Sequence, residues 1–412
     1  ATMARRCLGV SMVPAFAGLG NQAWAAAASG GKADRVIYLY MSGGMSHIDT
    51  LDPKPNTGVQ GPTKTIKTAI PGVLLSEHMP SLAKMLKQVT LIRSMSSEQG
   101  AHAPGRYLAH TSYSPRATIR HPAMGAWMLH ELGQKNKNIP GNIVVAGGSN
   151  YPGAGYMDLK YGPLPIGDVA TGIPNSELLR GVTEAQFNKR LSLVSKFGKR
   201  FYDLYPHKKV KGYGEMYADA IRLMRSEDLK AFDISQEDQK VRDKYGKDKF
   251  GQGCLLARRL IERDVRFVEV GYGGWDTHNE NFERIPEKVP VLDKALSALI
   301  QDLKTRGLLS KTLVVLTSEF GRSPKINERS GRDHHPAAFT TVLAGAGVKQ
   351  GYVHGASDKI GHGVDKDPVR VQDFNATIAA IVGIDTKKEV FSATRRPFTV
   401  ADDGEPVAEV LA

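Results

Sequence analysis

The sequence predicts an α/β fold with a largely parallel central sheet and helices on both faces, from three observations. Short apolar runs at 36–41, 89–95, 143–146, 265–270, 313–317 and 339–343 have strand length and stay apolar throughout, as strands covered on both faces do. Helix-period patterns at 81–88, 123–132, 254–263, 289–303 and 371–382 lie between them, and that alternation builds parallel sheets. Clusters of His, Asp, Glu and Arg follow several of the runs, where the carboxyl ends of parallel strands gather ligands.

Residues 1–28 come before the first strand. Arg5-Arg6 leads into an uncharged, weakly apolar stretch beginning at Cys7, and the alanines up to Ala28 offer the small residues of a cleavage site. The stretch predicts a twin-arginine-like export signal and a periplasmic or cell-surface destination in a bacterium. Pro14, Asn21 and Gln22 make it too polar for a comfortable bilayer span, so no integral membrane segment is expected in the mature chain. From residue 29 on, one α/β domain is expected. Its first strand ends in Ser42-Gly43-Gly44, and Gly- and Pro-dense stretches at 53–71 and 151–174 read as loops. Between about 175 and 251 long basic amphipathic patterns replace the strands, with a capping-box-like start at Ser235 to Asp238. That stretch is expected to be a helical insertion.

Composition narrows the chemistry. The 412 residues carry 55 Lys and Arg against 42 Asp and Glu, a formal charge of +13. Removing residues 1–28 takes two arginines and no acids, so the remainder stays basic. Dispersed cations without aromatic interleaving favour an anionic small molecule, an anionic glycan or a phospholipid surface over nucleic acid, although a merely solvated basic surface is the commoner cause. A mean hydropathy of −0.29 with 41% hydrophobic residues argues against both a polytopic membrane protein and wholesale disorder. Cys7 and Cys254 cannot make a disulfide framework or an all-thiolate zinc site, which leaves metal binding to the 12 His and the carboxylates.

The densest polar constellation follows two strands. Asp276 and His278, two apart after the run at 265–270, pair a hard oxygen with an imidazole nitrogen, a set that suits Zn, Mn or Fe. Glu319 leaves the run at 313–317, and Asp333, His334 and His335 follow in a short loop, so convergence would give three to five ligands. The competing reading is a salt-bridged network of the same carboxylates with Arg322 and Arg332, which is costly to bury without a cation. His47 and Asp49, after the first strand, are candidates for a second metal or for orienting the first set.

The runs Val-Ile-Tyr-Leu-Tyr-Met-Ser-Gly-Gly-Met-Ser-His-Ile-Asp at 36–49, Gly-Gly-Trp-Asp-Thr-His at 273–278, Ser-Glu-Phe-Gly-Arg-Ser-Pro at 318–324 and Gly-Arg-Asp-His-His-Pro at 331–336 are similar to an exported bacterial domain-of-unknown-function family, number fifteen hundred and one, whose members are often titled sulfatases. That family resembles a branch of the alkaline phosphatase and sulfatase superfamily, which implies an alkaline-phosphatase-like fold. The resemblance puts Glu319 where the superfamily has a metal-binding Asp and Phe320 where it has a His, and makes Asp333, His334 and His335 candidates for its later metal-binding His. His102-Ala-Pro-Gly-Arg106 has the spacing of the sulfatase motif Cys-x-Pro-x-Arg, with His102 at the nucleophile position. With no Cys there, a formylglycine sulfatase is excluded.

The expectation is therefore an exported hydrolase-like protein using a divalent metal (Zn, Mn, Fe or Ca) on phosphate or sulfate esters or related anionic groups. In one mechanism the metal activates water, His102 in its Pro-Gly turn is a ligand or proton shuttle, and Arg106 and Arg322 stabilise the developing oxyanion. In the other His102 attacks directly. The alternative function is a catalytically degenerate secreted or cell-surface protein that binds anionic glycans.

Overall fold

The computed structural model describes residues 31–147, 151–206 and 208–412. The expected export signal at 1–28 lies outside the described residues.

Strands and helices are numbered here in chain order. Strand β1 (Arg35–Met41) lies near the middle of a nine-stranded sheet. The others are β2 (Val89–Ser96), β3 (Asn142–Val145), β4 (Leu164–Ile166), β5 (Phe267–Tyr272), β6 (Thr312–Thr317), β9 (Phe339–Gly345), β10 (Tyr352–His354) and β11 (Val369–Arg370). Their order is β10-β2-β9-β6-β1-β5-β3-β4, with β11 also on β2. Every pairing is parallel except those of β9, which is antiparallel to β2 and β6. Only a hairpin, β7 (Gly321–Ile326) with β8 (Arg332–His335), separates β6 from β9. Without a crossover helix the chain can only return antiparallel.

Side chains of β1 alternate between two cores. Ile37, Leu39 and Met41 pack with α1 (Pro80–Met85), α7 (Lys249–Glu262) and α8 (Asn281–Thr305); Val36, Tyr38 and Tyr40 pack with α2 (His102–Thr111), α3 (Met124–Leu132) and α9 (Val371–Val382). Helices thus cover both faces, as the alternation predicts. Between β4 and α7 the regular elements are all helical, among them α4 (Glu184–Leu204), α5 (Lys208–Met224) and α6 (Gln239–Tyr245).

Local departures have local causes. The strand expected at 265–270 begins at Phe267, because Val265 still donates to the Leu260 carbonyl after the left-handed turn at Asp264. The loop expected at 151–174 contains β4, a three-residue edge strand whose position tolerates Pro165. Helix α8 starts eight residues before the expected 289, running through Pro286 and Pro290, which obscure it in the sequence. The capping box occurs at Thr183 and Gln186 rather than at Ser235; Asp238 alone caps α6.

One buried cation fastens the end of the helical stretch to the sheet's helices. Arg258 of α7, fully buried, reaches Glu237 at 2.9 Å, Glu262 at 2.8 Å and Asp302 at 2.9 Å. The bonds from Arg258, and then Arg259, outweigh burial and hold the Glu237 carboxyl down at about 2. A carboxyl depressed below its unfolded value stabilises the fold above the ordinary range near 4.5, and that stabilisation fades as pH falls toward 2. Urea unfolding of Glu237→Gln should therefore show a loss of about 1–2 kcal/mol at pH 7, allowing for solvent screening. The deficit relative to the parent should shrink steadily below pH 4.5.

Candidate functional site

Segments 42–44 after β1, 273–278 after β5 and 318–320 after β6 leave the carboxyl edge of the sheet side by side, and β8 adds Asp333 and His334. The helix α2 brings its first turn over them. His102 is the first residue of that helix rather than part of a turn. Pro104 is tolerated because first-turn N–H groups have no helical acceptor to lose. His102, Arg106 and His110 consequently recur every four residues along one helix face.

Asp276 is where the side chains meet. His102 Nε2 lies 3.2 Å from its Oδ2, and the Nε2 atoms of His278 and His334 lie 3.3 Å and 3.4 Å from its Oδ1. The opposite nitrogen of each ring is already engaged: His102 Nδ1 with Glu319 at 2.8 Å, His278 Nδ1 with Asp333 at 2.7 Å, and His334 Nδ1 with the Gly100 carbonyl at 2.8 Å. Each acceptor draws the ring proton to Nδ1, which leaves the lone pair of a neutral imidazole on Nε2. Lone pairs gathered around a carboxylate repel it unless a proton or a cation intervenes. His102 Nε2 is buried and has no hydrogen-bond partner. His102, Asp276 and His334 offer donor atoms that all lie within 4.8 Å of one another.

The electrostatics follow from the same contacts. Burial pushes the Asp276 carboxyl up, but the Arg322 guanidinium, joined by His102 and His278 when those rings are protonated, outweighs it and brings the group down to about 2. The bond to Glu319 raises His102 above its ordinary value against the effect of burial, whereas burial lowers His334. Glu319 is fully buried and accepts from Tyr40 Oη at 2.9 Å and from Gly43 N at 2.8 Å as well as from His102. It therefore holds His102 from behind rather than facing solvent. Phe320, at the position where the superfamily resemblance expects a His, packs its ring 5.2 Å from His102 and 4.8 Å from His334 and forms a wall.

The arginines divide their expected roles. Arg322 is fully buried, donating through Nε to the Gly44 carbonyl at 2.9 Å, through Nη1 to the Arg332 carbonyl at 3.1 Å, and through Nη2 to Gly43 and to Asp276. Its guanidinium is sealed from any substrate, so it positions Asp276 instead of contacting an anion. Arg106 donates to Ser42 Oγ at 3.2 Å and borders a cavity of about 190 Å³ lined also by Tyr40, His110, Tyr151 and Glu269. At its inner end His110 and Glu269 pair at 3.0 Å, both 2% exposed. Sequence reasoning missed that pair. The signals were a lone Glu inside the apolar run Phe-Val-Glu-Val and a His four residues after Arg106.

Three expected ligands lie apart from the cluster. Asp49 spends both oxygens on Arg332, at 2.7 and 3.1 Å, and also accepts from Ser46 and Asn281, so it is an ion-pair partner; of the carboxylates for which an arginine network is the competing reading, Asp276 does pair with Arg322. His47 Nε2 faces the Gly361 carbonyl at 2.8 Å. His335 leaves β8 on the face opposite to neighbouring His334, as adjacent strand residues must, and meets the His362 carbonyl at 2.5 Å.

A family described as a protein of unknown function matches residues 33–411. The chain belongs to the DUF1501 family. Among solved structures, this DUF1501 chain is similar to the PsFucS1 sulfatase from Pseudoalteromonas sp., with 16% identity over 95% of this chain and 76% of that one and a TM-score of 0.42. It is also similar to the C-terminal periplasmic domain of EcEptC from Escherichia coli in complex with Zn, with 10% identity, 93% of each chain covered and a TM-score of 0.42. A third similar structure is an alkaline phosphatase superfamily protein from Vibrio parahaemolyticus, with 12% identity over 87% of this chain and 68% of that one and a TM-score of 0.37. No protein of curated function matches this DUF1501 chain.

The Asp49–Arg332 pair, both side chains fully buried, gives a direct structural prediction. Arg332→Ala strands the Asp49 charge and should cost about 3–5 kcal/mol in chemical denaturation. Replacing Arg332 and Asp49 together by apolar residues should recover most of that loss.

Proposed function

We propose that this DUF1501 protein is an exported, metal-dependent hydrolase of phosphate or sulfate esters or related anionic groups. The observation that carries the reading is the convergence of three imidazole Nε2 atoms on Asp276, each ring fixed through its Nδ1 by an acceptor behind it. Metal-binding histidines are oriented in this way by a carboxylate or carbonyl at the far nitrogen. His102, Asp276 and His334 would hold the cation, with His278 beside them. Two imidazoles and a carboxylate suit Zn, Mn or Fe better than Ca, which prefers an all-oxygen shell. A cation bound there supplies Lewis-acid polarisation of a phosphoryl or sulfuryl oxygen.

The chain's own groups supply the rest. Glu319, itself held by Tyr40 and Gly43, fixes the His102 ring, and this arrangement favours a ligand or proton-shuttle role for His102 over direct attack. Arg106 faces the cavity and would orient the anionic group, leaving the cavity for the moiety to which that group is attached. Twin-arginine-like export would deliver the enzyme to the periplasm or cell surface. Among the described residues no helix is long and apolar enough to cross a membrane.

Release of p-nitrophenol from its phosphate and sulfate esters by the full chain, assayed with Zn, Mn and Fe in turn, tests the proposal. Turnover of at least one ester is expected, abolished by a chelator and reduced about 100-fold or more in His102→Ala with unchanged circular dichroism. No turnover under any metal, with phosphate or sulfate still bound, would favour an anionic-glycan-binding protein. Full activity in His102→Ala would remove that residue from the reaction.

A further inference from the structure

Most of the large apolar side chains left exposed among the described residues lie between 193 and 217, far fewer being scattered over the rest of the surface. Helix α4 is 21 residues long and buries none of them. Leu193, Phe197, Phe201 and Leu204 recur at helical spacing and form one stripe, with Phe197 63% and Leu204 64% exposed. Lys189, Lys196 and Arg200 run along one edge of that stripe, Lys199 lies behind it and Arg190 falls within it. Helix α5 continues the exposed apolar surface with Tyr213, Met216 and Tyr217, while Leu223 near its end is buried. A stripe of this length left in water is unfavourable and marks a docking surface.

Charge identifies the occupant. Residues 184–224 carry nine Lys or Arg against four Asp or Glu. Pairing the hairpin with a second copy of itself would bring two cationic surfaces together, whereas anionic headgroups neutralise them. An aromatic and aliphatic stripe flanked by lysine and arginine suits a helix lying in a bilayer interface, where the apolar face enters the headgroup boundary and the flanking cations reach up to lipid phosphates. We propose that α4 and α5 dock this protein on the surface of an anionic lipid bilayer. The inference is independent of the ester-hydrolase reading, because no residue of the hairpin belongs to the cluster around Asp276.

The test is co-sedimentation of the full chain with phosphatidylcholine vesicles, with and without phosphatidylglycerol. Sedimentation with the anionic vesicles alone is expected, weakening as salt rises. Phe197→Glu/Phe201→Glu should reduce the bound fraction's partition coefficient about tenfold or more. Lys196→Glu/Arg200→Glu should do the same through charge. All these side chains are exposed, so melting curves should match the parent, and residues 1–28 are common to every variant, so differences report on the hairpin. Equal sedimentation of the parent and Phe197→Glu/Phe201→Glu would overturn the proposal. So would a dimer, seen by size exclusion with light scattering, that this variant dissociates while neither protein binds vesicles; a second copy would then be the occupant.

Discussion

The arrangement at the carboxyl edge of the sheet depends on one buried cation. Arg322 has no exposure to solvent, and a guanidinium in that position must have every accessible donor answered. It is answered by carbonyls of Gly43 and Gly44 after β1, by the carbonyl of Arg332 on β8, and by Asp276 after β5. Three segments far apart in sequence are thereby held at one point, and the carboxylate among their acceptors is the residue on which three imidazoles converge. Burial lowers the affinity of Arg322 for its proton, while Asp276 opposes that effect. Removing Asp276 would therefore disturb both the cluster and the packing beneath it.

Topology explains why the polar groups arrive at the same edge. Strands β1, β5 and β6 are parallel neighbours, so their outgoing loops emerge together. The hairpin β7–β8 then folds over that edge before β9 returns antiparallel, which delivers Asp333 and His334. Behind the first layer, Glu319, Asp333 and the Gly100 carbonyl each fix one imidazole, so the direction of every Nε2 is set by a group that is itself held in place. Preorganised donors of this kind pay the cost of mutual repulsion during folding, and a bound cation relieves it.

Much of the fold was legible because buried parallel strands are continuous apolar runs, and those at 36–41 and 313–317 fall within a residue of the observed strands at Arg35–Met41 and Thr312–Thr317. Prolines blurred the helices: Pro104 disguised the start of α2, and Pro286 and Pro290 that of α8. At the site, Asp276, His278 and His334 were readable from their position after strand ends. Side-chain direction was not. Spacing alone could not separate Asp49, locked to Arg332, from Asp276, nor His335 from His334 on the opposite strand face. The burial of Arg322 and the pairing of His110 with Glu269 depend on contacts between distant segments, which a sequence without its tertiary packing does not display.

The most direct test of the metal cluster is the metal content of the full chain after incubation with Zn, Mn or Fe and removal of excess ion, compared with that of His334→Gln. The variant leaves the contact of buried Arg322 with Asp276 in place while removing one converging nitrogen. About one equivalent of tightly held transition metal is expected in the parent, with most of it lost in the variant. No metal retained by the parent under any of the three ions, or equal retention by both proteins, would contradict that expectation.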